Sequence, residues 1–193
     1  VVSGGHTGLY EIRSFKTIRL LGSTQDDACG EAFDKVAKIL GLGYPGGPVI
    51  ETIAAGGDPR ALRLSCSNTK APFDFSYSGI KTAVLYHAQK HRLGIFAGRN
   101  KKTDRARIAD VCASFQDAAL QVLVDKTIAA CKDMRIKSAV VGGGVAANRA
   151  LRTMFDEAAG RAGITVAFPA RDESMDNAAM IAGIAHHLIK GKP

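Results

Sequence analysis

The chain has 193 residues, is 46% hydrophobic and 23% charged, and has a mean hydropathy of +0.01, enough for one sizeable core or two small ones. No apolar run approaches the ~18 residues a membrane helix needs, so no membrane partner is expected. The four cysteines (Cys29, Cys66, Cys112, Cys131) form no Cys-x-x-Cys pair, which argues against a disulfide framework or zinc site and for reduced thiols in a cytoplasmic protein. The net charge of +8 points to a nucleic-acid or nucleotide partner.

In chain order, VVSGGHTGL (Val1 to Leu9) reads as strand, paired-glycine turn, strand. A further strand is expected at Thr17 to Leu21. DDACGEAFDKVAKILGL places Ala28, Ala32, Phe33, Val36, Ala37 and Leu40 at helical spacing, behind acidic Asp26 and Asp27 suited to a helix start. YPGGP (Tyr44 to Pro48) ends that helix, and a shorter one is expected from Val49. SGIKTAVLYHAQKH reads as a helix entered from the extended segment DFSYS. The longest helix is expected from about Asp104 to Met134, with Ile108, Val111, Phe115, Val122 and Leu123 on its buried side. A strand (Ser138 to Val141), a glycine turn, a helix (Ala147 to Gly160), a strand (Ile164 to Phe168) and a final helix from Met175 follow. Alternating strands and helices argue for an α/β layered fold, with no linker that would divide the chain.

Charge concentrates between Lys90 and Arg107. Seven basic residues there (Lys90, Arg92, Arg99, Lys101, Lys102, Arg105, Arg107) face one acid, Asp104. A solvated insertion is the bland reading, and a polyanion contact the functional one. His87 and His91 stand four apart on one helix face and could bind a metal. Lys90 and Arg92 beside them disfavour a cation, so they read as part of a basic surface, and His186 and His187 as helix-surface residues.

The second glycine cluster, AVVGGGVAANRALR (Ala139 to Arg152), runs from an apolar strand into Gly142, Gly143 and Gly144 and then a helix. Glycines let a backbone approach an anion closely, and the free amides of a helix start favour phosphate. The cluster matches neither the P-loop nor the dinucleotide pattern. Two such turns, SGGHT and GGGVAAN, suit a nucleotide clasped between a phosphate-facing and a nucleoside-facing loop. Asp34 in GEAFDK is a candidate acceptor for ribose hydroxyls, against a plain reading as an exposed helical acid.

VVSGGHT, DDACGEAFDKVAKILGLGYPGGP, FSYSGIKT, ASFQDA, GGGVAANRALR and MDNAAMIA occur in this order, and together they resemble the universal tRNA threonylcarbamoyladenosine synthase family, once described as O-sialoglycoprotein endopeptidases. The similarity runs over nearly the whole chain and is weakest across the basic segment. It implies an α/β actin-like ATPase (ribonuclease H-like) lobe with a mixed sheet flanked by helices. The chain would then be one incomplete unit, mainly the second of two lobes, with its C-terminal helix returning toward the first. It also implies transfer of a threonylcarbamoyl group from threonylcarbamoyl-adenylate to N6 of the adenosine next to the anticodon, in tRNAs reading codons that begin with A. The implied partners are tRNA, the adenylate, an inactive paralogue and a small ATPase.

Carried over motif by motif, the resemblance sets the adenylate against Val1, Val2, Ser3, Gly4 and Gly5, with further contacts from Asp34, Gly47 and Asn148. It makes Asp176 a ligand of a divalent metal, iron before zinc or magnesium, as suits a hard carboxylate. The attacking group is the tRNA amine, so no protein nucleophile is required. Two departures stand out. Glu173-Ser174-Met175-Asp176-Asn177 replaces the family's Cys-Thr-Asp-Asn pattern, and the family's His-x-x-x-His ligands, which lie upstream of the SGGHT turn, have no counterpart before Val1. The chain by itself is therefore expected to be inactive. The competing readings are a non-catalytic scaffold paralogue, a metalloprotease and a small-metabolite kinase of the same superfamily. The first is disfavoured by the intact SGGHT and Asp-Asn elements, the second by the lack of His-Glu-x-x-His, and the third by YPGGP and FSYSGIKT.

Overall fold

The computed structural model describes residues 1–97, 105–171 and 173–190. Two strands, β1 (Gly8–Ser14) and β2 (Thr17–Ser23), form an antiparallel hairpin, and three helices follow: α1 (Cys29–Ile39), α2 (Gly46–Ala54) and α3 (Ser78–Lys90). The long α4 (Arg105–Asp133) leads to β3 (Ser138–Val140), α5 (Arg149–Ala162), β4 (Thr165–Ala167) and α6 (Ala178–Lys190), with β3 and β4 paired in parallel. The α/β class agrees with the sequence, and among the described residues the strands form two two-stranded pieces, antiparallel β1–β2 and parallel β3–β4.

Helix α4 is the axis of the core. Fifteen of its residues are buried, and it packs against α2, α3 and α5, while α1 packs against α2 and α3. Its apolar stripe includes Val111, Phe115, Leu120 and Leu123, as the periodicity requires, whereas Ile108 and Val122 are only half-buried. Phe115 meets Phe33 of α1 edge to face, with ring centroids 4.9 Å apart. Among the described residues no helix is long and apolar enough to cross a membrane.

Helix boundaries follow local chemistry. Helix α2 begins at Gly46 rather than Val49, because Pro48 falls in the first turn, where the N–H it lacks would have had no helical partner. Helix α5 begins after Asn148, whose Oδ1 accepts the Leu151 N–H at 3.0 Å, and ends at Gly163, which is left-handed at φ 64°. A short 3₁₀ turn over Gly144–Ala147 precedes it. Helix α6 begins at Ala178, behind Asn177, whose Oδ1 accepts the Met180 N–H at 3.1 Å.

Two adjacent acids tie the first half together. Asp26 accepts the Tyr77 N–H at 2.7 Å, the Ser78 N–H at 3.3 Å and the Ser76 hydroxyl at 2.5 Å, so it caps α3 from a distant part of the chain. Asp27 accepts from Lys35 and from Lys81, each at 2.6 Å. Burial pushes the Asp27 carboxyl up, but the hydrogen bonds from these two lysines outweigh it and hold the group below its ordinary 3.8. A lowered folded-state pKa contributes stability that is complete above the unfolded value and lost as pH falls through the folded one. Urea-unfolding midpoints taken from about pH 5 down to about pH 2 should therefore fall more steeply for the wild type than for Asp27→Asn. Parallel acid limbs would show that the two lysines contribute nothing.

Candidate nucleotide site

The two glycine turns meet. Val2 is 3% exposed; its N–H donates to the Gly142 carbonyl at 2.8 Å, and its carbonyl accepts the Val145 N–H at 3.2 Å. Gly143, at φ 106°, lies so close that a Cβ there would strike the Val2 carbonyl oxygen. Only glycine meets both constraints. On its other side the first turn rests on the start of α1. The Gly30 N–H donates to the Ser3 carbonyl at 3.1 Å, and a Cβ on Gly30 would lie 2.7 Å from that oxygen and 2.8 Å from the Gly4 Cα. The Thr7 hydroxyl accepts the Cys29 N–H at 2.9 Å. Gly4 and Gly5 themselves are exposed.

Asp34 lies on α1 with Oδ1 accepting the Gly46 N–H at 2.7 Å, which orients the first turn of α2. With Glu31, Lys35, Lys38, Gly43 and Tyr44 it lines a hollow of about 630 Å³. Gly47 is half-buried, with open space where a Cβ would stand. The second turn and α2 are linked by the Arg149 N–H, which donates to Glu51 Oε1 at 2.9 Å. SGGHT, GGGVAAN and the start of α2 thus all border α1 and its neighbours.

Asn148 occupies a different environment from the exposed residues. It is buried, and besides capping α5 it donates through Nδ2 to Gln116 Oε1 at 2.9 Å. Gln116, in ASFQDA, was not singled out by sequence reasoning. Its signal was a polar residue on the buried stripe of α4, four residues from both Cys112 and Leu120. Arg152 is a second omission: it bridges the Ala146 carbonyl at 2.8 Å and the Pro169 carbonyl at 2.7 Å, and its guanidinium lies 4.8 Å from the Phe168 ring centroid. It fixes the second glycine turn against the segment leading to α6.

Asp176 is exposed, and no group of three His, Cys, Asp or Glu side chains able to hold a metal occurs among the described residues. The described donors do not by themselves fit a resident metal. His87 and His91 have ring centroids 4.4 Å apart. Burial first, then the charges of His91, Lys90 and Arg107, pushes the His87 pKa below its ordinary value, the mark of a cationic neighbourhood. Arg107 at the start of α4 therefore acts on the same surface as Lys90 at the end of α3. Arg99, Lys101, Lys102 and Asp104 lie outside the described residues.

With this geometry in place, comparison with known proteins is decisive. A family profile described as tRNA N6-adenosine threonylcarbamoyltransferase matches residues 1–183. The chain belongs to that family. A relative of that name from Syntrophotalea carbinolica is 48% identical over 185 residues, covering 95% of this chain and 52% of the relative. One from Symbiobacterium thermophilum is 46% identical over 188 residues, covering 97% and 52%. One from Anaeromyxobacter dehalogenans strain 2CP-1 is 47% identical over 195 residues, covering 100% and 56%. The chain thus spans about half the length of the curated relatives it matches.

Asn148→Ala should cost about 1–3 kcal/mol in urea unfolding, since it removes a helix cap and leaves the Gln116 carbonyl without its donor. Asn148→Asp keeps the cap acceptor and lets Gln116 turn its amide to donate, so it should lose less. Equal losses would show that the cap contributes nothing.

Proposed function

We propose that this chain is the nucleotide-holding part of an enzyme that transfers the threonylcarbamoyl group from its adenylate to N6 of the adenosine next to the anticodon, in tRNAs reading codons that begin with A. The observation that carries this reading is the junction of the two glycine turns at Val2, in a chain whose family is named for the reaction. Amides of Gly4 and Gly5, beside the start of α1, receive the phosphate of the adenylate, with Val1, Val2 and Ser3, whose own N–H donates to the His6 carbonyl at 2.8 Å, as the floor. Asp34 uses Oδ1 on Gly46 and offers Oδ2 to a ribose hydroxyl, while Gly47 lets the nucleoside lie against the first turn of α2. Asn148 acts through its cap, setting the angle at which the second turn meets the nucleotide.

In the transfer the N6 amine attacks the carbamoyl carbon, a C–N bond forms, the bond from that carbon to the phosphate oxygen breaks, and AMP leaves as the amine loses its proton to water. The role of this chain is to hold the leaving phosphate among oriented N–H groups, so that charge developing on its oxygen is stabilised without reorganisation. Asp176 would supply one carboxylate to a divalent metal, iron before zinc or magnesium, and such a metal would add Lewis acidity. The site of action is the cytoplasm, where tRNA, the adenylate, an inactive paralogue and a small ATPase would be the partners.

In the full-length protein, Asp34→Ala should raise the Kd for threonylcarbamoyl-adenylate by about 10- to 150-fold, the loss of one charge-assisted hydrogen bond. An unchanged Kd would return Asp34 to the role of an α1–α2 tie alone.

The basic segment meets tRNA phosphates. Its flanks, Lys90 at the end of α3, Arg92 after it and Arg105 at the start of α4, are exposed; Arg105, a cation at a helix N-terminus, opposes the macrodipole, so local stability does not explain it. Replacing Arg99, Lys101 and Lys102 by Gln should weaken all tRNAs alike and reduce the slope of log K against log salt by about 2–3, with adenylate binding intact. Superimposable salt curves would exclude the contact.

A further inference from the structure

His87, Lys90 and His91 lie at the C-terminal end of α3, with His91 as its cap. The two imidazoles are four residues apart in sequence, and their ring centroids stand 4.4 Å apart with an interplanar angle of 35°. His87 is half-buried and His91 exposed. Arg107, at the start of α4, lies close enough for its charge to act on the His87 ring.

No carboxylate answers this cluster. Between Ser78 and Ala109 the described residues include no Asp or Glu. Helix α3 packs against α1, α4 and the 3₁₀ turn Gly94–Phe96. The last turn of α1 carries another cation, Lys38, and the 3₁₀ turn carries no charge. The first described acid of α4, Asp110, accepts the Asp58 N–H at 2.8 Å. The acids nearest α3 are spent at its other end, Asp26 on the N–H groups of Tyr77 and Ser78 and Asp27 on Lys81. A helix C-terminus by itself favours a cation. Burial first, and then the charges of His91, Lys90 and Arg107, nevertheless hold the His87 ring below its ordinary 6.5. The same field decides what the pair can receive. A metal ion would meet two donors and a positive surround, whereas an anion is attracted by every group in the cluster.

We infer that His87 and His91 form a pH-sensitive contact for RNA phosphate, each imidazole taking up a proton from solvent as the tRNA backbone settles against the end of α3 and the start of α4. This rests on the tRNA reading of the neighbouring basic segment, and it adds a surface on folded elements and a dependence on pH. A phosphate beside Lys90 and Arg107 offsets the charge that keeps His87 neutral, and it accepts a hydrogen bond from a protonated ring. Proton uptake and RNA binding then favour one another reciprocally, so binding tightens as pH falls.

The test measures the Kd of the full-length protein for unmodified tRNA across a range of salt, at about pH 8 and about pH 5.5. Each protonated imidazole adds one phosphate contact, so the slope of log K against log salt should be steeper by about 1–2 at the lower pH. His87→Gln with His91→Gln should abolish that difference while leaving the slope at pH 8 and the adenylate Kd unchanged. His91→Gln alone, at an exposed position, should remove part of it, which keeps the test open if the double variant disturbs α3. In NMR titrations the His87 ring should take its proton at higher pH in the tRNA complex than in the free protein. Equal salt slopes at the two pH values in the wild type would overturn the inference, as would a difference that survives in the double variant. Failure of the basic segment is read separately, from the Arg99, Lys101 and Lys102 replacement at pH 8, above the range in which histidine ordinarily titrates.

Discussion

The main chain of Val2 is the constraint on which the rest of the structure depends. Hydrogen bonds leave it in both directions, toward Thr7 and Gly8 by way of Val1 and toward Gly142 and Val145 on the far side. It thereby joins the N-terminal hairpin to a turn some 140 residues later. A Cβ at Gly143 would push that turn off Val2, and one at Gly30 would push α1 off Ser3 and Gly4. Each glycine is thus required by a backbone approach rather than by flexibility, and the approach is what brings two sets of main-chain N–H groups to one place.

The family's sequence blocks make physical sense as ties between distant elements. Asp26 and Asp27 of DDACGEAFDK hold FSYSGIKT, one by capping α3 and the other through Lys81. Gln116 of ASFQDA holds Asn148 of GGGVAANRALR. Asp34 holds the first turn of α2, and Glu51 on α2 reaches the start of α5. These ties form a cycle through α1, α2, α5 and the glycine turns, with α4 packed behind it. A rigid scaffold of this kind is what a site made of main-chain amides needs, because such amides have no side-chain freedom with which to adjust.

Much of this was legible in the sequence where one element decides its own geometry. Helices α1 and α4 follow from apolar spacing and α3 from SGIKTAVLYHAQKH, whereas α5 starts at Arg149 rather than Ala147 because Asn148 caps it. What was hidden depended on contacts between elements. The start of α2 lay three residues before the expected one because Pro48 tolerates a first-turn position that a simple breaker rule denies it. Gln116 escaped notice because its value lies in a partner 32 residues away. The mixed sheet was expected from resemblance, and among the described residues its antiparallel and parallel parts, β1–β2 and β3–β4, stand as separate pieces. Asp176 is named a metal ligand by resemblance alone; it is exposed, and no three-ligand group occurs among the described residues.

The central claim is that main-chain amides at the junction of the two glycine turns hold the phosphate of the adenylate. Amide chemical shifts of the full-length protein, recorded during titration with threonylcarbamoyl-adenylate, test it most directly. The account requires the largest changes at Gly4, Gly5, Gly143 and Gly144, with smaller ones at Asp34 and Gly47 and none at Asp125 or Lys132 on α4. Saturable binding that leaves the four glycine amides unmoved would contradict it.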